Sequence, residues 1–148
     1  MRIINNVRKR MNVTQGKLSI VMPAYNEEAL IYHSIMTTLE VVSDFAENIE
    51  IVAVNDGSSD NTKHEIERAC IKDSRVKLVS SDKNHGKGAA IITGVTMADG
   101  DYIAFLDADD VWIPDKLKHQ IEFMEEKKIG FSFTSYEFGD DKAIGTGR

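Results

Sequence analysis

Tyr102-Ile-Ala-Phe-Leu-Asp-Ala-Asp-Asp110 is the stretch on which the reading of this chain turns. Its first five residues are apolar or aromatic and follow Gly100 and Asp101, the pattern of a short buried strand in a parallel sheet. The strand runs directly into three carboxylates, Asp107, Asp109 and Asp110. Acids gathered at one strand end repel one another, and a divalent cation placed among them reverses that penalty. Hard Mg²⁺ or Mn²⁺ prefers carboxylate oxygen combined with phosphate. In open α/β sheets ligands sit outside the carboxyl ends of the strands. The placement points to metal-assisted binding of a phosphate compound.

Upstream of this stretch, strand and helix patterns alternate. Leu18–Met22 is an apolar run stopped by Pro23, and Glu27–Phe45 carries Ile31, Ile35, Leu39 and Val42 at the spacing of an amphipathic helix. Ile49–Val54 reads as a second strand, closed by Asn55-Asp56-Gly57. Ser59 or Asp60 can cap a helix running to about Ile71. Val76–Val79 reads as a third strand, and Lys87–Ala98 as a third helix with Ile91, Gly94, Val95 and Ala98 on one side. After the acidic strand end, Pro114 is expected in the first turn of a helix whose buried stripe is Leu117, Ile121 and Met124. Ile129–Phe138 is a candidate last strand. This alternation requires an α/β fold, a Rossmann-like three-layer α/β/α sandwich with a mainly parallel sheet and right-handed crossovers.

Composition limits the function classes. The 148 residues, 42% hydrophobic and 28% charged, are those of one ordinary globular domain, burying roughly 70% of the unfolded surface. No apolar run is long enough to span a membrane, and no secretory signal pattern is present. Cys70 is the single cysteine, which excludes a disulfide framework, and its place on the apolar side of a helix predicts a buried, inert thiol. A reducing cytoplasmic setting follows. Residues 1–16 carry four basic residues and no acid, whereas the remainder carries 14 basic and 24 acidic residues. The acidic body argues against nucleic acid as a partner, because phosphate contacts need Lys and Arg. The basic leader, expected to be a flexible terminus, could still touch an anionic membrane surface.

Three further loops follow strand ends. Pro23-Ala24-Tyr25-Asn26-Glu27 offers an aromatic face at Tyr25 and hydrogen-bonding or helix-capping groups at Asn26 and Glu27. Asn55-Asp56-Gly57-Ser58-Ser59-Asp60 places a carboxylate where a base N–H could bind, beside a glycine suited to a tight turn. Asn84-His85-Gly86-Lys87-Gly88 brings a cation to a helix N-terminus, where anions bind. Each loop alone reads equally well as a capped turn.

In this order the segments are far more specific. Ser19-Ile-Val-Met-Pro-Ala-Tyr-Asn-Glu-Glu28, Val54-Asn-Asp-Gly-Ser-Ser-Asp60, Asn84-x-Gly-x-x-x-Ala90-x-x-x-Gly94 and Asp107-Ala-Asp109 closely resemble the family 2 glycosyltransferases of the GT-A fold, over about residues 17–138. The Asn84–Gly94 segment resembles polyprenyl-phosphate sugar transferases, and the stretch through Trp112-Ile-Pro-Asp-Lys-Leu117 resembles bacterial cell-surface polysaccharide transferases. The resemblance implies binding of a nucleotide-diphospho-sugar donor and transfer to a cell-surface glycan or a polyprenyl (lipid) phosphate acceptor, in the cytoplasm at the inner face of the membrane. It implies that Ala24, Tyr25 and Glu27 line the base and ribose pocket and that Asp56 binds the base. Asn84, Gly86 and Lys87 would border the sugar nucleotide, Asp107 and Ala108 would lie near ribose and sugar, and Asp109 would hold Mg²⁺ or Mn²⁺.

Such domains usually continue with an acceptor-side wall and a general base. The expected organisation is therefore a leader over residues 1–16 and a nucleotide-sugar-binding domain over 17–148 without the acceptor half. Among the late acids, Asp110 and Glu137 are weak candidates for the base. Little transfer by this chain alone is expected, and a homodimer covering an apolar face around Phe131, Phe133 and Phe138 is the expected assembly. Two other readings compete. One is a module that binds donor without transferring it. The other is a haloacid dehalogenase-like phosphatase, since Asp107-x-Asp109-x-Val111 after a hydrophobic strand fits that signature, with Asp107 as nucleophile.

Overall fold

The computed structural model describes residues 16–43, 46, 48–140 and 143–147, with side-chain detail through residue 135. Residues 1–15 of the 1–16 leader, Phe45 and Asp141 lie outside the described residues, as does the side chain of Phe138. Two compact units are formed, Met1–Asp115 and Lys116–Arg148.

In the first unit the elements run β1 (Leu18–Ala24), α1 (Ile31–Ser43), β2 (Ile49–Asp56), α2 (Thr62–Lys72), β3 (Val76–Ser81), α3 (Lys87–Met97) and β4 (Tyr102–Phe105). The four strands form one parallel sheet in the order β3-β2-β1-β4. The chain steps from β1 through β2 to β3 and then crosses to the far side of β1. Right-handed crossovers therefore place α1 and α2 on one face and α3 on the other. Contacts agree: α1 packs on α2, whereas α3 lies against β1 and β2. Strand order reverses at β1, which opens a crevice at the carboxyl ends of the strands.

β1 and β2 are buried throughout apart from a half-exposed Pro23, as central strands covered on both faces must be. The α1 stripe of Ile31, Ile35, Leu39 and Val42 is fully buried. The helix begins at Ile31 and not Glu27, because residues 28–30 form a turn. β4 departs from the fully buried strand expected: it is an edge, and Ile103 and Phe105 on one of its faces are exposed. In α3 the inward residues are Ala90 and Gly94, while Val95 is exposed, which narrows the expected stripe. A Cβ at Gly94 would sit 2.4 Å from Val21 Cγ1 and 3.2 Å from Val54 Cγ2, so the missing side chain is what lets the helix lie close to the sheet. Cys70 is half-buried, and burial pushes its thiol up from the ordinary value.

At the amino ends of the strands, Glu50 is 2% exposed yet charged. Its carboxylate accepts from Lys17 Nζ at 2.6 Å, Ser19 Oγ at 2.5 Å and the Asp99 amide at 2.7 Å, and pairs with Lys77 Nζ at 2.8 Å. These partners come from the start of β1, from β3 and from the α3–β4 connection. Burial alone would raise the Glu50 pKa, but the bonds from Lys17, Lys77, Ser19 and Asp99 outweigh it and hold the carboxyl at about 2.

In the second unit, α4 (Lys116–Lys127) buries Leu117 and Ile121, with Met124 only half-buried. Pro114 does not sit in its first turn: Asp115 adopts a left-handed conformation (φ 63°), which separates the proline from the helix. The expected strand over 129–138 forms only from Tyr136, where β5 (Tyr136–Asp140) pairs antiparallel with β6 (Ala143–Gly147). Phe131 and Phe133 precede it, both largely exposed with ring centres 6.3 Å apart. Their alternation mimics a strand, but no ladder partner engages residues 129–135.

Two outcomes follow. Gly94→Ala should lower stability by about 1–3 kcal/mol through overpacking against Val21, read as a shifted denaturation midpoint; an unchanged midpoint would mean that α3 lifts away freely. For Glu50, the folded value lies below the ordinary 4.5, so its contribution is complete above that pH and is lost as pH falls from 4.5 toward 2. Glu50→Gln should cost on the order of 3 kcal/mol at pH 7 and reduce the acid sensitivity of the wild type in that window. Parallel pH–stability curves for the two proteins would contradict this.

Candidate functional site

Every loop at the carboxyl end of the sheet is held by side chains that reach into the next loop. After β1, Asn26 takes a left-handed conformation (φ 56°), tolerated well by asparagine. Its amide nitrogen donates to Ser58 Oγ at 3.0 Å, and its Oδ1 accepts from the Ser59 amide at 2.9 Å. The Glu27 amide donates to Thr62 Oγ1 at 2.7 Å, and Thr62 Oγ1 donates to Asp60 Oδ1 at 2.5 Å. Asp60 also accepts from the Thr62 and Glu28 amides and so ties the start of α2 to the approach of α1, but the cap position of α2 is Asn61, which makes no side-chain cap bond. Burial works against the Asp60 charge, but these bonds prevail and lower its pKa.

The loop after β2 grips the loop after β3. Asp56 is 5% exposed; its oxygens accept from the His85 amide at 3.0 and 3.1 Å and from the Gly86 amide at 2.8 Å. Gly57 (φ 67°) lies against the same loop, where a Cβ would fall 2.3 Å from the Lys83 carbonyl carbon and 2.5 Å from the Asn84 nitrogen. Gly86 (φ 90°) then turns the chain into α3, and its amide also donates to Asn84 Oδ1 at 2.8 Å. Asp56 therefore holds the neighbouring loop while also lining the pocket. A carboxylate that holds two amides retains acceptor capacity toward the pocket.

The loop after β4 carries the acids. The Asp110 amide donates to the Asp107 carbonyl at 3.1 Å, closing a turn, and Ser34 Oγ of α1 donates to the Ala108 carbonyl at 2.5 Å. Lys87 Nζ, at the first residue of α3, donates to Asp107 Oδ2.

These loops enclose an open pocket of about 330 Å³ lined by Pro23, Ala24, Tyr25, Glu27, Asp56, Asn84, Lys87, Ala90, Asp107, Ala108 and Asp109. It unites Ala24, Tyr25, Glu27, Asp56, Asn84, Lys87, Asp107, Ala108 and Asp109 of the expected site. Gly86 shapes the rim through its turn and does not line it. Asp110 stands beside the lining in sequence, and Glu137 belongs to β5, with its side chain outside the description. Thr62 and Ser58 hold the loops without having been singled out in the sequence, and Ser59, read there as a helix cap, instead donates its amide to Asn26 Oδ1.

Tyr25, 46% exposed, presents an aromatic surface at one part of the pocket. The acids dominate its charge. Burial raises the Glu27 pKa from the ordinary value, and repulsion by Asp109, Asp60 and Asp107 raises it further. Asp110 is raised likewise by burial and by Asp109 and Asp107, with Lys87 opposing. Such mutual repulsion among oxygen donors suits a hard divalent cation. Among the described residues, however, no three His, Cys, Asp or Glu side chains already converge as a metal cage. A cation here needs ligand oxygens from something else, and phosphate is the fitting supplier.

The family model described as "Glycosyl transferase family 2" matches residues 19–146. The UDP-Glc:alpha-D-GlcNAc-diphosphoundecaprenol beta-1,3-glucosyltransferase WfgD of Escherichia coli is 39% identical over 86% of this chain and 48% of its own length. The chain thus spans about half the length of that curated relative. The mannosyltransferase PcManGT from Pyrobaculum calidifontis, solved with GDP-Man and Mn²⁺, shares the fold with a TM-score of 0.68 at 24% identity, over 75% of this chain and 33% of that one. S. aureus TarS 1-349 in complex with UDP-GlcNAc gives a TM-score of 0.64 at 28% identity, over 74% of this chain and 31% of that one. A family match of this extent leaves no place for the haloacid dehalogenase reading, whose acidic motif also opens its domain and here follows the fourth strand.

Asp56→Ala should destabilise the protein by about 1–3 kcal/mol and expose the His85 and Gly86 amides to hydrogen exchange. If both amides stay protected as in the wild type, the clamp does not hold the loop.

Proposed function

The chain belongs to glycosyl transferase family 2, and on that footing we propose that its pocket binds a nucleoside-diphospho-sugar, preferably a uridine one, through Mg²⁺ or Mn²⁺. The observation that carries the reading is the composition of this pocket: an aromatic face at Tyr25, a lysine at a helix start and two acids, Asp107 and Asp109. A base, a diphosphate and a cation bridging to it are matched by these three in turn. The names of WfgD, with UDP-Glc, and of the TarS complex, with UDP-GlcNAc, support uridine as the nucleotide.

In this reading Ala24 and Tyr25 pack against base and ribose, and the free acceptor capacity of Asp56 takes a base N–H. Lys87 and Asn84 meet the phosphates, Asp107 lies toward ribose and sugar, and Asp109, with Glu27 and Asp110 near, holds the metal. A bound divalent ion stabilises negative charge on a departing diphosphate. The loop clamps keep these groups in place before the donor arrives, which lowers the ordering cost of binding.

The transfer step is proposed for the whole protein: the sugar passes to a polyprenyl-diphosphate-linked sugar or cell-surface glycan, in line with the diphosphoundecaprenol acceptor in the name of WfgD. Among the described residues no helix is long and apolar enough to cross a membrane.

Calorimetry should detect UDP binding in Mn²⁺ and a loss of at least about tenfold in affinity with EDTA, since uncompensated acids face the diphosphate. Asp109→Asn should abolish the difference between the two conditions. Equal UDP affinity with and without metal would overturn the proposal.

A further inference from the structure

Lys87 is the one basic residue among the described residues that line the pocket, where it faces Glu27, Asp56, Asp107 and Asp109. It is not idle. Its ammonium donates to Asp107 Oδ2 and so occupies one of the two carboxylates that flank Ala108. Both side chains are partly exposed, Lys87 more than Asp107, so the pair is held weakly and can open at little cost. The lysine stem is anchored at the first residue of α3, directly after the Gly86 turn, where the Asp56 carboxylate accepts hydrogen bonds from the His85 and Gly86 amides. The ammonium is therefore tethered at a fixed base with a flexible reach.

A divalent ion entering alone meets a poor site. One carboxylate is paired with a resident cation, the ammonium repels the newcomer, and among the described residues no cluster of three ligating side chains stands ready. A diphosphate changes each of these conditions. Its oxygens complete the shell of a hard cation, and its charge offers the ammonium a stronger partner than a half-exposed carboxylate. Resting on the donor-binding reading of the pocket, we propose that Lys87 is an exchangeable counter-ion. It sits on Asp107 in the free protein and moves to the diphosphate on binding, so that metal and nucleotide are taken up together and metal is disfavoured alone.

Linkage makes this measurable, because the factor by which UDP tightens Mn²⁺ equals the factor by which Mn²⁺ tightens UDP. Mn²⁺ binding to the whole chain is followed by electron paramagnetic resonance, alone and with saturating UDP, for the wild type, Lys87→Gln and Lys87→Arg. Lys87→Gln should bind Mn²⁺ alone about three- to fivefold more tightly, the size expected for removing one exposed ion pair. It should also bind UDP in Mn²⁺ about tenfold more weakly, having lost a charge-assisted phosphate contact. Lys87→Arg should keep the wild-type pattern on both counts, and all three proteins should melt alike because the side chain is exposed. A lysine with a merely structural role would not move the two affinities in opposite directions. If Lys87→Gln binds Mn²⁺ alone no better than the wild type while UDP still binds in Mn²⁺, the exchange is wrong and the donor reading stands. If the wild type binds no UDP under any condition, the donor reading fails and takes the exchange with it.

Discussion

A single buried carboxylate organises the amino end of this sheet. Glu50 gathers Lys17, Ser19, Lys77 and the Asp99 amide, and so joins the starts of β1 and β3 to the approach of β4. That cluster ties the amino ends of the parallel strands together by matched charge. The opposite end has the reverse economy of charge. Glu27, Asp107, Asp109 and Asp110 repel one another with only Lys87 set against them among the described pocket residues. One edge of the sheet uses electrostatics for stability, and the other keeps an uncompensated field that a cation and a phosphate ligand can satisfy.

The loops at the carboxyl end are tied to one another by hydrogen bonds. Asn26, Gly57 and Gly86 each take positive φ, and each bend turns backbone amides toward a neighbouring side chain. Asn26 meets Ser58 and Ser59, Glu27 meets Thr62, and Asp56 meets His85 and Gly86. The polar residues of the three motifs thus divide their work. Some oxygens fix loops to one another, and the remaining faces line the pocket.

The central strands were legible as continuous apolar runs, and α1 as an apolar stripe of period 3.6, because both patterns coincide there with burial. Ile31, Ile35, Leu39 and Val42 show this most simply. Reading failed where pattern and environment part company. Ile129, Phe131 and Phe133 alternate like a strand yet are exposed, and Asp115 reverses the backbone where Pro114 suggested a helix start. Most pocket residues were legible only through the resemblance carried by the four segments in order, since each loop alone reads equally well as a capped turn. The second duty of Asp56 was not, since it depends on the Asn84–Lys87 loop lying beside it, 29 and 30 residues away at His85 and Gly86. Spacing within one motif carries no information about that neighbour.

The most direct test of the account is a crystal structure of this chain with UDP and Mn²⁺, with the metal located by anomalous scattering. The account predicts one strong peak between Asp109 and the diphosphate, the base beside Tyr25, and Lys87 turned from Asp107 to a phosphate oxygen. A nucleotide seated away from the β1, β2 and β4 loops, or a metal held without Asp109, would contradict it.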